Sequence, residues 1–301
     1  MDFTVEPPPP PGRELYRFAT VNDVHIGEES FGRPRRYREP DDVEPYPARC
    51  LRAALTEAKA WGAQRILGKG DLTDAGTEAE FEWFAAVVRD AGVDMTAILG
   101  NHDIRTEEVD GAAVLGRRGI DMATEARALD VPGLRIVMLP SILDYHVGQW
   151  HDADRERVIA LASDAERPVF VATHHYPQRF SRANEFPPGI SARNANPLLD
   201  ALDRVAPRSI VACGHTHRHH RRHYKSLLIT EIGSTKDFPG VWAGYRVYEG
   251  GITQTVHQIQ EPSARAWLDR TGGVLFGAWR HWSPGVRSHR NWTWEWATPR
   301  R

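Results

Sequence analysis

The sequence is short of several things, and each shortage removes a class of protein. Only two cysteines, Cys50 and Cys213, occur in 301 residues. They fall at an expected helix start and inside an expected buried strand, so they read as small core residues rather than as a disulfide. No stretch approaches the roughly 18 consecutive apolar residues that a membrane-spanning helix requires. The N-terminus carries a proline run, Pro7 to Pro11, where a leader would carry a basic segment followed by an apolar one. An excess of one charge is also missing. A formal net charge of -2 with 26% charged residues gives no broad basic field, which counts against nucleic acid as a dedicated partner. No internal repeat of solenoid length is found. The expectation is a soluble, cytoplasmic protein with no membrane span.

A hydrophobic content of 41% over this length suffices for a large core, and one α/β domain with tails accounts for it. Five short apolar runs end in polar clusters rich in His, Asp and Asn. Arg17 to Val21 leads into Asn22-Asp23-Val24-His25, and Arg65 to Leu67 into Gly68-Lys69-Gly70-Asp71-Leu72-Thr73-Asp74. Met95 to Leu99 leads into Gly100-Asn101-His102-Asp103, Val169 to Ala172 into Thr173-His174-His175, and Ile210 to Cys213 into Gly214-His215-Thr216-His217. Runs of this kind read as strands buried on both faces, and open α/β sheets bind ligands beyond the carboxyl ends of such strands.

Between the strands, Leu51, Ala54, Leu55 and Ala58 repeat at helical spacing up to Gly62. Thr77 and Glu80 form a capping-box pattern ahead of Phe81, Phe84, Ala85 and Val88, with Gly92 closing the helix. A further helix is expected from about Asp154 to Ser163, and another from Asn196 as N-cap with Pro197 at its first position. After residue 213 the pattern turns to strands over Ser226 to Ile232, Val241 to Tyr248 and Ile252 to Ile259, the last two joined at Gly250-Gly251, so the sheet is mixed.

Imidazole and carboxylate both bind borderline divalent cations, and a set of two Asp, four His and one Asn is too rich in nitrogen for Mg or Ca alone. Zn, Mn or Fe fit better. The donors number about twice what one tetrahedral site uses, which points to two ions sharing a carboxylate, roughly 3.5 to 4 Å apart.

The ordered set Asp23-x-His25, Gly70-Asp71, Gly100-Asn101-His102-Asp103, His174 and Gly214-His215-x-His217 resembles the signature of the calcineurin-like metallophosphoesterase superfamily. The likeness covers about residues 15 to 260. Its finer similarity is to the bacterial cyclic-nucleotide phosphodiesterase-like branch, through Gly70-Asp71-Leu72-Thr73-Asp74, the Leu143-Asp144 region, and Gly233 with Gly244-Tyr245-Arg246-Val247. The resemblance implies an α/β (α+β) fold, a four-layer αββα sandwich of mixed sheets flanked by helices. It covers the metallophosphoesterase domain (15–260) and leaves a flexible Pro-rich arm (1–14), whose consecutive prolines supply neither donors nor core contacts, and a Trp-rich C-terminal extension (261–301).

Carried over residue by residue, the resemblance implies that Asp23, His25 and His217 bind a first metal, that Asp71 bridges, and that Asn101, His174 and His215 bind a second. His102 becomes the phosphate-facing acid, oriented by Asp74. Hydroxide held between the ions then attacks phosphorus in line, with the ions stabilising the phosphoryl oxygens. His174 and His175 compete for one ligand position. The strand-terminal histidine is the ligand in related sequences, so His174 is taken, although Tyr176 before Pro177 departs from their pattern. His175 is left as a rim or merely hydrogen-bonded residue. Asp103 reads as an orienting neighbour, and His219, His220 and His223, set among Arg218, Arg221 and Arg222, as a solvated strand edge.

Substrate choice falls to groups outside the metal pair. The candidates are the loop from Gly27 to Pro47 with Arg33, Arg35, Arg36, Arg38, Phe31 and Tyr37, read either as a lid or as a solvated surface; the stretch from Gln178 to Asn196; and Tyr145 with His146. The expected function is hydrolysis of a small phosphodiester, of cyclic nucleotide or glycerophosphodiester type. A phosphomonoesterase or nuclease on the same machinery is the first alternative, and a catalytically silent scaffold of the same fold is the second. In the extension, Trp292, Trp294 and Trp296 alternate with Thr293 and Glu295, which puts all three indoles on one face of an extended strand. A stripe of that size requires cover, either by folding back on its own domain or by crossing to a second subunit in a homodimer.

Overall fold

Strands that are apolar on both faces must be covered twice, and this chain covers them by stacking two sheets between helices. The computed structural model describes residues 3, 5–33, 36–40, 42–142, 148–182 and 186–296. One sheet has seven strands in the order Trp292–Glu295, Gly251–Gln258, Val241–Tyr248, Glu14–Val21, Ile66–Lys69, Met95–Ile98 and Asp121–Met122. Its last four run parallel, and the three from the C-terminal part pair antiparallel. The other has six, in the order His220–Tyr224, Leu227–Glu231, Ile210–Cys213, Val169–Ala172, Leu134–Met138 and Arg127–Val131, parallel in the middle and antiparallel at both edges.

The period of two along each strand sorts the side chains into three cores. Ala19 and Val21 face helices Tyr46–Ala60, Glu78–Ala91 and Pro262–Thr271 on one outer side, whereas Phe18, next to Ala19, faces the other sheet. Phe170 and Ala172 point into the same inter-sheet core, while Val169 and Val171 point outward to Asp152–Ser163 and Ala192–Val205. The result is the four-layer αββα sandwich. Cys50 and Cys213 are buried and free, as core residues. No helix among the described residues is long and apolar enough to cross a membrane.

Glu78–Ala91 begins as its sequence expects. Thr77 Oγ1 accepts from Glu80 N, Glu80 Oε2 accepts from Thr77 N, and Gly92 ends the helix at φ 60°. The helix expected to start at Asn196 starts a turn earlier, at Ala192, and Pro197 lies inside it. Ser191 supplies the N-cap, and the Asn194 amide exchanges two hydrogen bonds with the Trp150 backbone, at 3.0 and 3.2 Å. Burial of Ala192 and Ala195 adds to this, and together they outweigh the donor that proline lacks.

The proline-rich N-terminus is tied down rather than free of core contacts. Phe3 is buried, its carbonyl accepts from Asn291 Nδ2 at 2.7 Å, and Arg13 Nε pairs with Glu249 at 2.9 Å. The extension folds back onto its own chain. Trp267 joins the helix-side core, and Trp292, with Trp294 and Trp296 beside it, joins the inter-sheet core from an edge strand. His219 also departs from the solvated edge expected of it. It is buried, because residues 283–290 of the extension cover it and Ser283 O accepts from its backbone N–H at 2.9 Å.

Candidate metal centre

All the strand-terminal clusters meet at one end of the two sheets. Asp23 and His25 follow Glu14–Val21, Asp71 and Asp74 follow Ile66–Lys69, and Asn101 and His102 follow Met95–Ile98. From the second sheet come His174 after Val169–Ala172, and His215 and His217 after Ile210–Cys213. Potential ligand atoms of Asp23, His25 and His217 lie within 4.8 Å of one another, as do those of Asp23, Asp71 and His174, of His25, Asp71 and His102, and of His174, His175 and His215.

Such crowding needs unusual backbone. Asp23, His25, Asp71, His215 and His217 all have left-handed φ, between 49° and 74°. That conformation costs a non-glycine residue about 1–3 kcal/mol, and it persists where the surroundings impose it, most often at functional sites. Gly100 allows the closest approach in the cluster, since a Cβ there would stand 2.3 Å from Asp71 N and Oδ1. Asp103 is wholly buried and ties the loops together, accepting from Gly100 N at 2.7 Å, Leu72 N at 3.1 Å and Thr73 N at 2.7 Å.

The imidazole tautomers follow from what each outer nitrogen touches. His174 Nδ1 donates to Lys69 O at 2.8 Å, and His215 Nε2 to Pro188 O at 3.2 Å. Their inner nitrogens, His174 Nε2 and His215 Nδ1, then face each other at 3.2 Å. His217 Nδ1 donates to Asp237 Oδ2 at 2.6 Å and turns Nε2 to Asp23 Oδ1 at 3.7 Å. His25 Nδ1 lies 3.3 Å from Asp74 Oδ1, which leaves Nε2 buried, without a hydrogen-bond partner among the described residues, and 3.6 Å from Asp71 Oδ2. Asn101 Oδ1 is 3.2 Å from His174 Nε2.

Lone pairs set against lone pairs and carboxylates repel unless a proton or a metal cation lies between them. Donors bound at about 2.1 Å around a tetrahedral ion stand roughly 3.4 Å apart, the range of these separations. The donor set therefore fits metal ions.

The titration of the groups carries the same message. Burial pushes the His25 imidazole well below its ordinary range, reinforced by His102 and Lys236, and it takes His215 down to about 3, reinforced by His174. Both are neutral and able to ligate. Burial also opposes charge on His174, but Asp71 and Asp23 hold it up to about 9, so that a proton occupies the position in the absence of an ion. Asp71, against its burial, is held well below the usual carboxylate range by His174, His102 and His25.

His102 and Asp74 occupy the rim of the cluster. His102 Nδ1 donates to Asp74 Oδ1 at 3.0 Å, while Nε2 lies 2.9 Å from Arg105 Nη2, and the His102 backbone N–H donates to Asp71 Oδ1 at 2.9 Å. His175 has Nδ1 3.0 Å from Ser141 Oγ and Nε2 buried without a hydrogen-bond partner among the described residues, and burial, reinforced by His215 and His174, holds its imidazole well below the ordinary range. No metal cluster among the described residues contains His219, His220 or His223. Phe31 of the Arg-rich loop lies parallel to the His217 ring, with centroids 6.4 Å apart. Arg35, Leu143, Asp144, Tyr145 and His146 lie outside the described residues.

Several participants carried no signal in the sequence. Asp237, Arg105 and Lys236 stand in no recognisable spacing, and Lys69, though inside a strand-end cluster, is not of a metal-ligating type. Lys69 is completely buried, with Nζ bonded to Cys213 O at 2.7 Å, and burial brings it down to about 8.

An αββα sandwich with buried Asp, His and Asn side chains converging beyond its strand ends is the architecture of a metallophosphoesterase. The chain belongs to the calcineurin-like phosphoesterase family, whose model matches residues 16–219. A probable cyclic nucleotide phosphodiesterase of Psychrobacter arcticus is 23% identical over 176 residues, which are 56% of this chain and 62% of that relative. Among solved structures, purple acid phosphatase from yellow lupin seeds superposes with a TM-score of 0.60 at 13% identity, over 85% of this chain and 53% of that one. The anchor of the Plasmodium inner membrane complex superposes at 0.55 with 11% identity, over 83% and 86%. A putative 5'-nucleotidase from Staphylococcus aureus superposes at 0.51 with 13% identity, over 85% and 58%. At such identities these structures share the fold.

Proposed function

We propose that the protein is a dinuclear-metal phosphodiesterase acting on a small phosphodiester of cyclic nucleotide or glycerophosphodiester type. One observation carries the reading: the imidazoles of His25, His174 and His215, all buried, and of the half-buried His217 converge with Asp23 and Asp71, with inner nitrogens 3.2 to 3.7 Å from one another or from those carboxylates, separations that suit ligands of a common metal ion. In this reading Asp23, His25 and His217 hold one ion, Asn101, His174 and His215 hold the other, and Asp71 is shared. When bound, the ions would supply the positive charge that stabilises phosphoryl oxygens and lowers the pKa of a coordinated water.

The remaining chemistry belongs to the chain. Asp74 fixes the His102 ring by accepting from Nδ1, which aims Nε2 at the opening of the site beside the Arg105 guanidinium. An ester oxygen entering there takes the Arg105 guanidinium from Nε2, and a His102 protonated on both ring nitrogens passes it the Nε2 proton as the bond to phosphorus breaks. Phe31 beside His217 gives a flat apolar surface at the same opening, suited to a base or an alkyl group. The Psychrobacter relative supports the cyclic nucleotide as the first substrate to test.

The test is a substrate panel on protein loaded with Mn, Fe or Zn, comparing cyclic nucleotides, glycerophosphodiesters, phosphomonoesters and single-stranded DNA. Metal-dependent cleavage of a small diester is expected. Faster turnover of monoesters or of DNA would replace the diester reading by the corresponding esterase or nuclease. Protein that binds two ions and hydrolyses none of the four would be a catalytically silent scaffold of the same fold.

A further inference from the structure

The C-terminal extension grips three consecutive residues that back the metal centre. Trp267 Nε1 donates to Lys236 O at 2.8 Å, Trp279 Nε1 donates to Asp237 Oδ1 at 3.2 Å, and Phe238 N donates to Thr271 Oγ1 at 2.8 Å. Asp237 is the middle of the three and wholly buried. Its other oxygen, Oδ2, accepts from His217 Nδ1 at 2.6 Å. Lys236 Nζ supports the carboxylate from 3.5 Å, is itself paired with Glu28 Oε2 at 2.7 Å, and sits 4.2 Å from the Phe31 ring centre. A carboxylate with a donor on each oxygen cannot turn about its own bond without losing one of them. The indole N–H of Trp279 thereby fixes the plane in which His217 is held.

We propose that Trp279 is a positioning residue for the metal centre: by holding Asp237 it aims His217 Nε2 at Asp23, and so sets how tightly the Asp23, His25 and His217 position binds its ion. The proposal rests on the dinuclear reading above. It also assigns a role to a segment that lies beyond the family match, which ends at residue 219. Carboxylate partners of metal-ligating histidines fix the ring and raise its basicity, and their loss weakens metal binding by about 10- to 100-fold. Trp279 is one step further out, so its contribution belongs at the lower end of that range.

The experiment is calorimetric titration of the metal-free full chain with Mn²⁺, comparing the parent with Trp279→Phe, which keeps an aromatic ring and removes the N–H. Two binding steps are expected for the parent, with one of them weakened by about ten-fold in the variant and the other unchanged. Trp242→Phe serves as the control, because Trp242 Nε1 donates to Glu57 Oε2 at 3.1 Å and not to Asp237. It should lower the melting temperature and leave both steps as they are. If Trp279→Phe does not fold, benzothienylalanine placed at position 279 keeps the indole shape and deletes only the donor.

A second readout does not depend on metal. In protein labelled with ¹⁵N-histidine, the His217 Nδ1–H resonance should move when the Trp279 donor is removed and stay in place in Trp242→Phe. Two unchanged binding steps, or equal weakening of both, would overturn the proposal. A parent chain that takes up no Mn²⁺, Zn²⁺ or Fe²⁺ would overturn the dinuclear reading instead, and the His217 resonance would still decide whether Trp279 positions the ring.

Discussion

The two halves of the metal centre are supported by different chemistry. On the side of His174 and His215, the outer imidazole nitrogens donate to backbone carbonyls, Lys69 O and Pro188 O. On the side of His25 and His217, they donate to carboxylates, Asp74 and Asp237. A carbonyl orients a ring, whereas a carboxylate orients it and also raises its basicity. In the proposed dinuclear reading the two ions would therefore not be equivalent. The His25 and His217 position, with Asp23 inside and two further carboxylates behind, should fill first and hold its ion more tightly. Lys236 tempers this by sharing Asp237, whose carboxyl burial pushes up but His217 and Lys236 hold down at about 2.

The strongest way to break the comparison is to remove what both halves share. Asp71 lies 3.4 Å from His174 Nε2 through Oδ1 and 3.6 Å from His25 Nε2 through Oδ2. Asp71→Ala should weaken both ions by more than the roughly 100-fold that outer partners contribute, and remove activity. Elemental analysis of active parent protein at saturating metal gives the reference. A single ion per chain there would end the two-sided description.

Next in size is His102→Ala, expected to lower kcat by about 10² to 10⁴ while both ions stay bound. Esters with good leaving groups should lose less, because they need less help from a proton donor. An equal loss for good and poor leaving groups would leave His102 and Arg105 as electrostatic partners only.

The comparison itself is tested by Asp237→Asn. The substitution keeps an acceptor for His217 and removes the charge, so one binding step should weaken by about 10-fold or more, and the other should not move. No equivalent substitution exists across the centre, where the acceptors are backbone atoms. Weakening of both steps by Asp237→Asn would mean that the ions communicate through Asp71 too strongly to be treated as two halves.

This asymmetry also marks what could be read from the sequence. The inner residues were legible because each follows a short apolar strand and the strands are parallel. That topology alone brings Asp23, Asp71, Asn101, His174 and His215 to one end of the sandwich. The outer residues were not. Lys69 O and Pro188 O act through atoms that every residue possesses, so no side-chain pattern announces them. Asp237 belongs to Ser234-Thr235-Lys236-Asp237, where nothing in type or spacing distinguishes it from a turn. Its second oxygen is held by Trp279, which returns from 42 residues away. The helix at Ala192 was misplaced for a related reason. Asn196-Pro197 imitates a helix start, but Ser191 and the Asn194 bonds to Trp150 decide the matter through tertiary contact.

The smallest effect lies outside the centre and sets the baseline for comparing its halves in metal-free protein at different pH. His257 stacks on Trp242 at 4.0 Å, with Trp61 edge-on at 5.5 Å. Burial, with Arg246 nearby, lowers its imidazole from 6.5 to about 4. A histidine with a depressed folded pKa is neutral in the fold and takes up a proton on unfolding. Its contribution to stability is then complete above the unfolded value near 6.5 and lost as the pH falls toward 4. Between pH 7 and pH 5 the loss should be on the order of 1–2 kcal/mol. His257→Phe preserves the stack on Trp242 and cannot titrate, so its denaturation midpoint should vary less with pH over that interval than the parent's. A variant whose acid dependence matches the parent's would return the whole pH response to the metal centre, and the two halves would then have to account for it between them.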